Sequence, residues 1–169
     1  SWDKTARLWD VQTGAELRRL AGHAGGVSSV ALSRDGNRIL TGGADKTARQ
    51  WDARSGAELR SFSGHANVRQ SVAFVGDGTR AVLAGLDKTA VLWDIRMDQP
   101  ICTLIYCGGG AVATTPDGKW LLVANHLHPG QADADVVAAG VSVIDLAAGK
   151  VAKEIALPNG SGLLHEIRV

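Results

Sequence analysis

The sequence predicts an all-β chain built as an array of four-stranded antiparallel meanders, and three observations predict it. The octapeptide Asp45 to Asp52, DKTARQWD, recurs as DKTARLWD from Asp3 to Asp10 and as DKTAVLWD from Asp87 to Asp94, with the same spacing at both steps. A period of roughly 40 residues marks stacked supersecondary units that cannot bury their faces alone. Short runs rich in β-type residues alternate with Gly, Asp, Asn and Ser clusters at the spacing of all-β proteins. Hydrophobic residues make up 45% of the chain, enough for a core.

The elements follow in order. A first partial unit, residues 1–20, supplies Thr5 to Trp9 and Glu16 to Leu20. The unit over 21–62 holds Val27 to Leu32, Arg38 to Gly42, Thr47 to Trp51 and Glu58 to Phe62, joined by turns that tolerate positive φ or cap with a side chain. The unit over 63–106 repeats it with Val68 to Val75, Arg80 to Gly85, Thr89 to Trp93 and Pro100 to Tyr106. In both, the histidine (His23, His65) stands at the same distance in sequence before the turn aspartate (Asp35, Asp77).

The unit over 107–157 departs from the pattern. Pro116-Asp117-Gly118 keeps its first turn and Ile144-Asp145 replaces Trp-Asp, but the span from Asp117 to Asp145 is longer than its counterparts, Asp35 to Asp52 and Asp77 to Asp94. Eleven residues are therefore inserted within Asn125 to Gly140. Residues 163–169 read as the first strand of a further unit, which brings the expected strands to fifteen. If the ends met, that strand would take the innermost place of the first partial unit and the strand next to Thr5 to Trp9 would still be absent, so simple ring closure is not expected, and open strand edges favour self-association.

Lysine plus arginine number 18 against 17 aspartate plus glutamate. That balance gives no basic excess to drive phosphate-backbone binding, so nucleic acid is not an expected partner. No apolar run reaches membrane-spanning length, so no membrane partner is expected either. Cys102 and Cys107 lack zinc or disulfide-framework spacing and read as packing residues. The glycine-rich Cys107 to Gly110 does not follow the strand-loop-helix grammar of a phosphate cradle. A start at Ser1, just before a repeat motif, reads as a piece of a longer chain. The compartment is left open, cytoplasmic being slightly favoured over periplasmic or extracellular.

The Gly22-His23 and Gly64-His65 pairs, the Asp-Lys-Thr triplets and Trp9, Trp51 and Trp93 at matched spacing resemble the WD-repeat β-propeller family over about residues 1–105. The remainder, with ATTPDGKWLLVAN and GVSVIDLAAGKV, resembles YVTN-type propeller repeats of bacterial proteins. The resemblance implies β-propeller blades, about three complete and partial ones at both ends. It also implies a hydrogen-bond tetrad of His23, Thr41, Asp45 and Trp51, with a partial one of His65, Asp87 and Trp93 in which Leu83 takes the hydroxyl position. The residue types suit such a chain, because an indole N–H only donates while a hydroxyl accepts and passes on.

Two function classes follow. The first is a non-enzymatic interaction scaffold, its partner a protein, a peptide or the remaining blades of a longer parent chain. The second is a segment of a bacterial enzyme-associated or redox-associated YVTN-type propeller. No catalytic residue and no cofactor are expected. His126 and His128, with Asp133 and Asp135 nearby, are weak metal candidates against the ordinary reading of a solvated loop. The same stretch, with Asn125, is the candidate partner-binding loop, since insertions in repeat arrays gather on one face.

Overall fold

The computed structural model describes residues 1–63, 71–85, 87, 89–97, 99–105, 109–126 and 139–156. Its first sheet has two strands, β1 (Thr5–Trp9) and β2 (Glu16–Ala21). Three four-stranded sheets follow. The first comprises β3 (Val27–Leu32), β4 (Arg38–Gly43), β5 (Thr47–Asp52) and β6 (Glu58–Ser63). The next comprises β7 (Ser71–Val75), β8 (Arg80–Ala84), β9 (Thr89–Asp94) and β10 (Gln99–Ile105). The last comprises β11 (Gly109–Thr114), β12 (Trp120–His126), β13 (Ala139–Asp145) and β14 (Lys150–Ala156). Every sheet is an antiparallel meander in chain order, the blade of a β-propeller.

The turns explain why the chain doubles back where it does. Asp10, Asp52 and Asp145 stand at the ends of third strands, or of β1, and each side chain accepts backbone N–H groups a few positions further on. The same aspartates' carbonyls accept from Gly14, Gly56 and Gly149, which lie at positive φ. Asp145 therefore plays the part of Asp52 although its neighbour is Ile144 and not tryptophan.

Packing runs between sheets, and strand alternation sends neighbouring residues to opposite sides. On β4, Ile39 joins Leu20, Trp51 and Ala53 toward the first sheet, while Leu40 joins Ala48, Phe62, Val72 and Leu83 toward the third. On β8, Ala81 and Leu83 pack back into that second layer, whereas Val82 and Ala84 pack forward with Leu92, Leu121, Val123 and Ile144. Two-sided burial is why β4 and β8 are nearly continuous apolar runs. The first strands of successive blades are tied directly: Val72 N donates to Ser29 Oγ at 3.1 Å and Val112 N to Ser71 Oγ at 3.2 Å.

At the two ends of the stretch that holds the insertion, Asn125 pairs with Gly140 and His126 with Ala139 in the β12–β13 ladder, and residues 127–138 lie outside the described residues. The expected strand over 163–169 lies outside the described residues, as does the start of the strand expected from Val68.

One buried residue breaks the repeat. Gln50 stands where the other copies carry Leu8 and Leu92 and is 2% exposed, and among the described residues its Nε2 has no hydrogen-bond partner. An unmatched buried amide donor costs about 1 to 3 kcal/mol. Gln50→Leu is therefore expected to raise stability by about 1 to 2 kcal/mol, read as an upward shift of the urea midpoint at constant m-value.

Candidate functional site

The site grows from the loop between β2 and β3 and the turn between β4 and β5. Asp45 caps that turn: Thr47 donates to Asp45 Oδ1 from its backbone N at 3.1 Å and from its hydroxyl at 2.8 Å. The cap holds Lys46 at a φ of 65°, a left-handed conformation that costs a non-glycine residue about 1 kcal/mol. Across the gap, Ala24 N donates to Asp45 Oδ2 at 2.8 Å and Ala44 N to the Gly26 carbonyl at 2.8 Å. One carboxylate thus clamps two loops together.

Beneath it a chain of side chains descends into the blade. Trp51 Nε1–H can only donate, and it does so to Thr41 Oγ1 at 2.9 Å. The Thr41 hydroxyl then has its own proton free for His23 Nε2 at 2.7 Å. With Nε2 accepting, Nδ1 carries the proton and points it at both Asp45 oxygens, each at 3.0 Å. All donors run in one direction from indole to carboxylate, the arrangement in which successive bonds polarise one another. His23 is 6% exposed, Thr41 1% and Trp51 2%.

Burial acts to raise the Asp45 pKa, but hydrogen bonds from the Thr47 hydroxyl, the His23 ring and the Ala24 and Thr47 amides outweigh it and hold the group at about 2. A carboxyl held below its usual value stabilises the fold above that usual value, and the contribution disappears as pH falls through the folded pKa. Wild type is therefore expected to exceed Asp45→Asn in stability at neutral pH, with the gap closing between about pH 4 and pH 2 in parallel thermal melts. Asp3 and Asp35 are also held at about 2, by hydroxyls of Thr5 and Ser33 first, but they are common to both proteins and cancel in the comparison.

Several contributors escape a reading of motifs alone. Thr47 sits within 3.3 Å of His23 Nδ1 as well as on Asp45. Arg49 bonds Glu58 at 2.6 Å and reaches Asp45 at 4.0 Å, flanking the carboxylate. Most demanding is Gly43: a Cβ there would lie 2.3 Å from His23 Nδ1 and 2.6 Å from Asp45 Oδ1. A Cβ at Gly25 would meet the Asp45 backbone N at 2.8 Å. The repeat carries signals for most of these, since Thr5, Thr47 and Thr89, Arg7 and Arg49, Glu16 and Glu58, and Gly43 and Gly85 all recur at the spacing of the octapeptide.

The other copies are partial. In the third sheet Thr89 caps Asp87 with backbone N at 3.1 Å and hydroxyl at 2.6 Å, Leu83 is buried at the hydroxyl position, and Trp93 packs on Phe62 at a centroid distance of 5.4 Å. His65 lies outside the described residues, as do Cys107, His128, Asp133 and Asp135. Asn125 and His126 end β12. Cys102 is half-buried, and burial pushes its thiol up. Among the described residues no three His, Cys, Asp or Glu gather into a metal-holding group, and no helix is long and apolar enough to cross a membrane.

Comparison with known proteins follows the same period. Residues 14–52 and 56–94 each match the family model described as WD domain, G-beta repeat. The chain is 60% identical over 43 residues to autophagy-related protein 16 of Arabidopsis thaliana, a stretch that covers 25% of this chain and 8% of that protein. It is 49% identical over 41 residues to coronin-7 of Mus musculus, covering 24% of this chain and 4% of that one. In three dimensions it resembles the hydrazine synthase of Kuenenia stuttgartiensis with a TM-score of 0.77 at 17% identity, over 91% of this chain and 43% of that one. At that identity the likeness concerns the fold alone.

Proposed function

Because residues 14–52 and 56–94 are WD repeats, we propose that this chain is a non-enzymatic interaction scaffold that presents loops on rigid blades to a protein or peptide partner. WD-repeat proteins are generally scaffolds of this kind. The observation that carries the reading is the use of its histidine, aspartate and threonine: the Thr41 hydroxyl accepts from Trp51 and donates to His23 in a site closed to solvent, so no nucleophile is presented. The network instead fixes two loops of one face through Asp45. Energy invested in such a satisfied network yields one defined arrangement, which lowers the ordering cost of binding.

The connection between β12 and β13 is the counterpart of the β4–β5 turn that carries Asp45 and Lys46. We assign the stretch from Asn125 to Gly140, with His126, His128, Asp133 and Asp135, to the same partner-facing side. The test is a selection from a random peptide library. It is followed by affinity measurements on wild type, Lys46→Glu and a variant whose 127–138 segment is replaced by a short turn. Selected peptides are expected to lose about tenfold or more in affinity with one or both variants while the melting temperature holds. A library in which no peptide depends on either feature would overturn the reading.

A further inference from the structure

We infer that the outer rim of the blades binds a linear polypeptide segment rich in acidic and aliphatic residues, through a strip of Leu59, Arg60, Met97 and Ile101 that continues to Leu17 and Arg18.

The strip begins with an irregularity that recurs in every sheet. On each outer strand one residue is skipped where the ladder shifts register: Leu17 between Glu16 and Arg18, Leu59 between Glu58 and Arg60, Ile101 between Pro100 and Cys102, and Ala152 between Val151 and Lys153. A β-bulge of this kind re-aims a side chain and interrupts the sheet edge. In three of the four sheets the residue at the bulge is a large aliphatic one, and Leu17 is 44% exposed, Leu59 49% and Ile101 50%. Leu59 and Ile101 belong to sheets packed on both sides, so their exposure is a property of the whole blade. Scattered surface leucines need no explanation, but these recur at one place and are joined to one another.

The arginine after the bulge makes the join. Arg18 Nε donates to the Arg54 carbonyl at 2.7 Å and Arg60 Nη2 to the Arg96 carbonyl at 3.4 Å, each in the outer turn of the following sheet. The turn that Arg60 reaches also carries Met97, which is 71% exposed. Aliphatic tip, guanidinium and exposed turn therefore alternate from blade to blade.

Charge says what the strip suits. The outer-strand carboxylates are already taken, Glu16 by Arg7 at 3.6 Å and Glu58 by Arg49 at 2.6 Å. Asp52 and Asp94 accept from N–H groups of their own turns. Arg18 and Arg60 donate to neutral carbonyls and contact no carboxylate among the described residues. A guanidinium keeps its charge and offers a planar fork that matches a carboxylate. A partner with carboxylates set between aliphatic side chains satisfies both features of the strip. Outer strands of a propeller lie on a convex rim, which a flat lipid surface meets at few points and a flexible segment can follow from blade to blade.

The probe is a displayed library of peptides about 12 residues long, roughly 40 Å when extended, built from Asp, Glu, Leu, Ile and Ser. A sister library carries Asn and Gln in place of the acids. Only the acidic library is expected to yield binders of the full chain. The best of them, made as a fluorescent peptide, is expected to bind about tenfold more weakly to Leu59→Ser and to Arg60→Glu at unchanged melting temperature. Ile101→Ser is the further variant should Arg60→Glu loosen the contact between blades. Lys46→Glu makes the same change of charge beside Asp45 and is expected to leave the affinity unchanged, which separates this strip from the loops proposed above. Equal losses in Lys46→Glu and Arg60→Glu would reduce the effect to net charge and overturn the proposal. Enrichment from neither library, or equally from both, overturns it too. So does sedimentation with phosphatidylserine vesicles that Leu59→Ser abolishes while no acidic peptide binds, since the rim would then be a lipid surface.

Discussion

Gly43→Ala is expected to lower stability by about 2 to 4 kcal/mol, far more than one methyl group costs at most strand positions. The new Cβ would sit 2.3 Å from His23 Nδ1, 2.6 Å from Asp45 Oδ1 and 2.8 Å from His23 Cε1. Either the ring or the carboxylate must move, and both are held from several sides. Asp45 is bound by Thr47, Ala24 and His23, and the ring by Thr41 at its far nitrogen. Moving one therefore breaks several bonds at once. Gly36→Ala is the control, because nothing lies within 4 Å of its added Cβ and only its left-handed φ of 72° is penalised, at about 1 kcal/mol. Urea denaturation of both variants separates the two costs. A Gly43→Ala loss no larger than that of the control would mean that the His23 ring swings aside freely and that the network does not make the blade rigid.

Thr41→Val is expected to cost about 2 to 4 kcal/mol although it preserves shape almost atom for atom. The hydroxyl joins the Trp51 indole to His23, so its removal leaves a buried donor at 2.9 Å and a buried acceptor at 2.7 Å without their partner. Each orphaned group costs about 1 to 3 kcal/mol. Thr41→Ser keeps the hydroxyl and is expected to lose only about 1 kcal/mol, the worth of one buried methyl group. The Trp51 indole N–H supplies a local readout, since its hydrogen exchange should quicken in Thr41→Val and stay slow in Thr41→Ser. Leu83 shows how the next blade manages the same position without a hydroxyl. There the tryptophan lies against Phe62, and the leucine fills the core between the second and third sheets.

How far the site can be read from the chain follows from which interactions are local. The Asp-Lys-Thr turn is contained in one short triplet, and its geometry is nearly the same at Asp3, Asp45 and Asp87. His23, Thr41, Asp45 and Trp51 are named by the resemblance to WD repeats, and they form one continuous hydrogen-bond chain. Gly43 carries no chemistry of its own and becomes significant only when a ring from the β2–β3 loop is laid across it. Gln50 is polar where the other copies carry leucine, yet it is buried.

By itself the sequence determined the all-β blades, their meander order and their capped turns, because hydrogen bonds between adjacent strands and side-chain caps act over a short stretch of chain and the repeat states them again and again. Tertiary structure alone decided which copies of one motif are buried. Trp9 and Trp51 occupy the same position in nearly identical octapeptides, yet one is half exposed and the other closed off. Burial depends on what lies beside a strand in space, and for β5 that is β4 and the His23 loop, whereas among the described residues the corresponding place beside β1 is a groove.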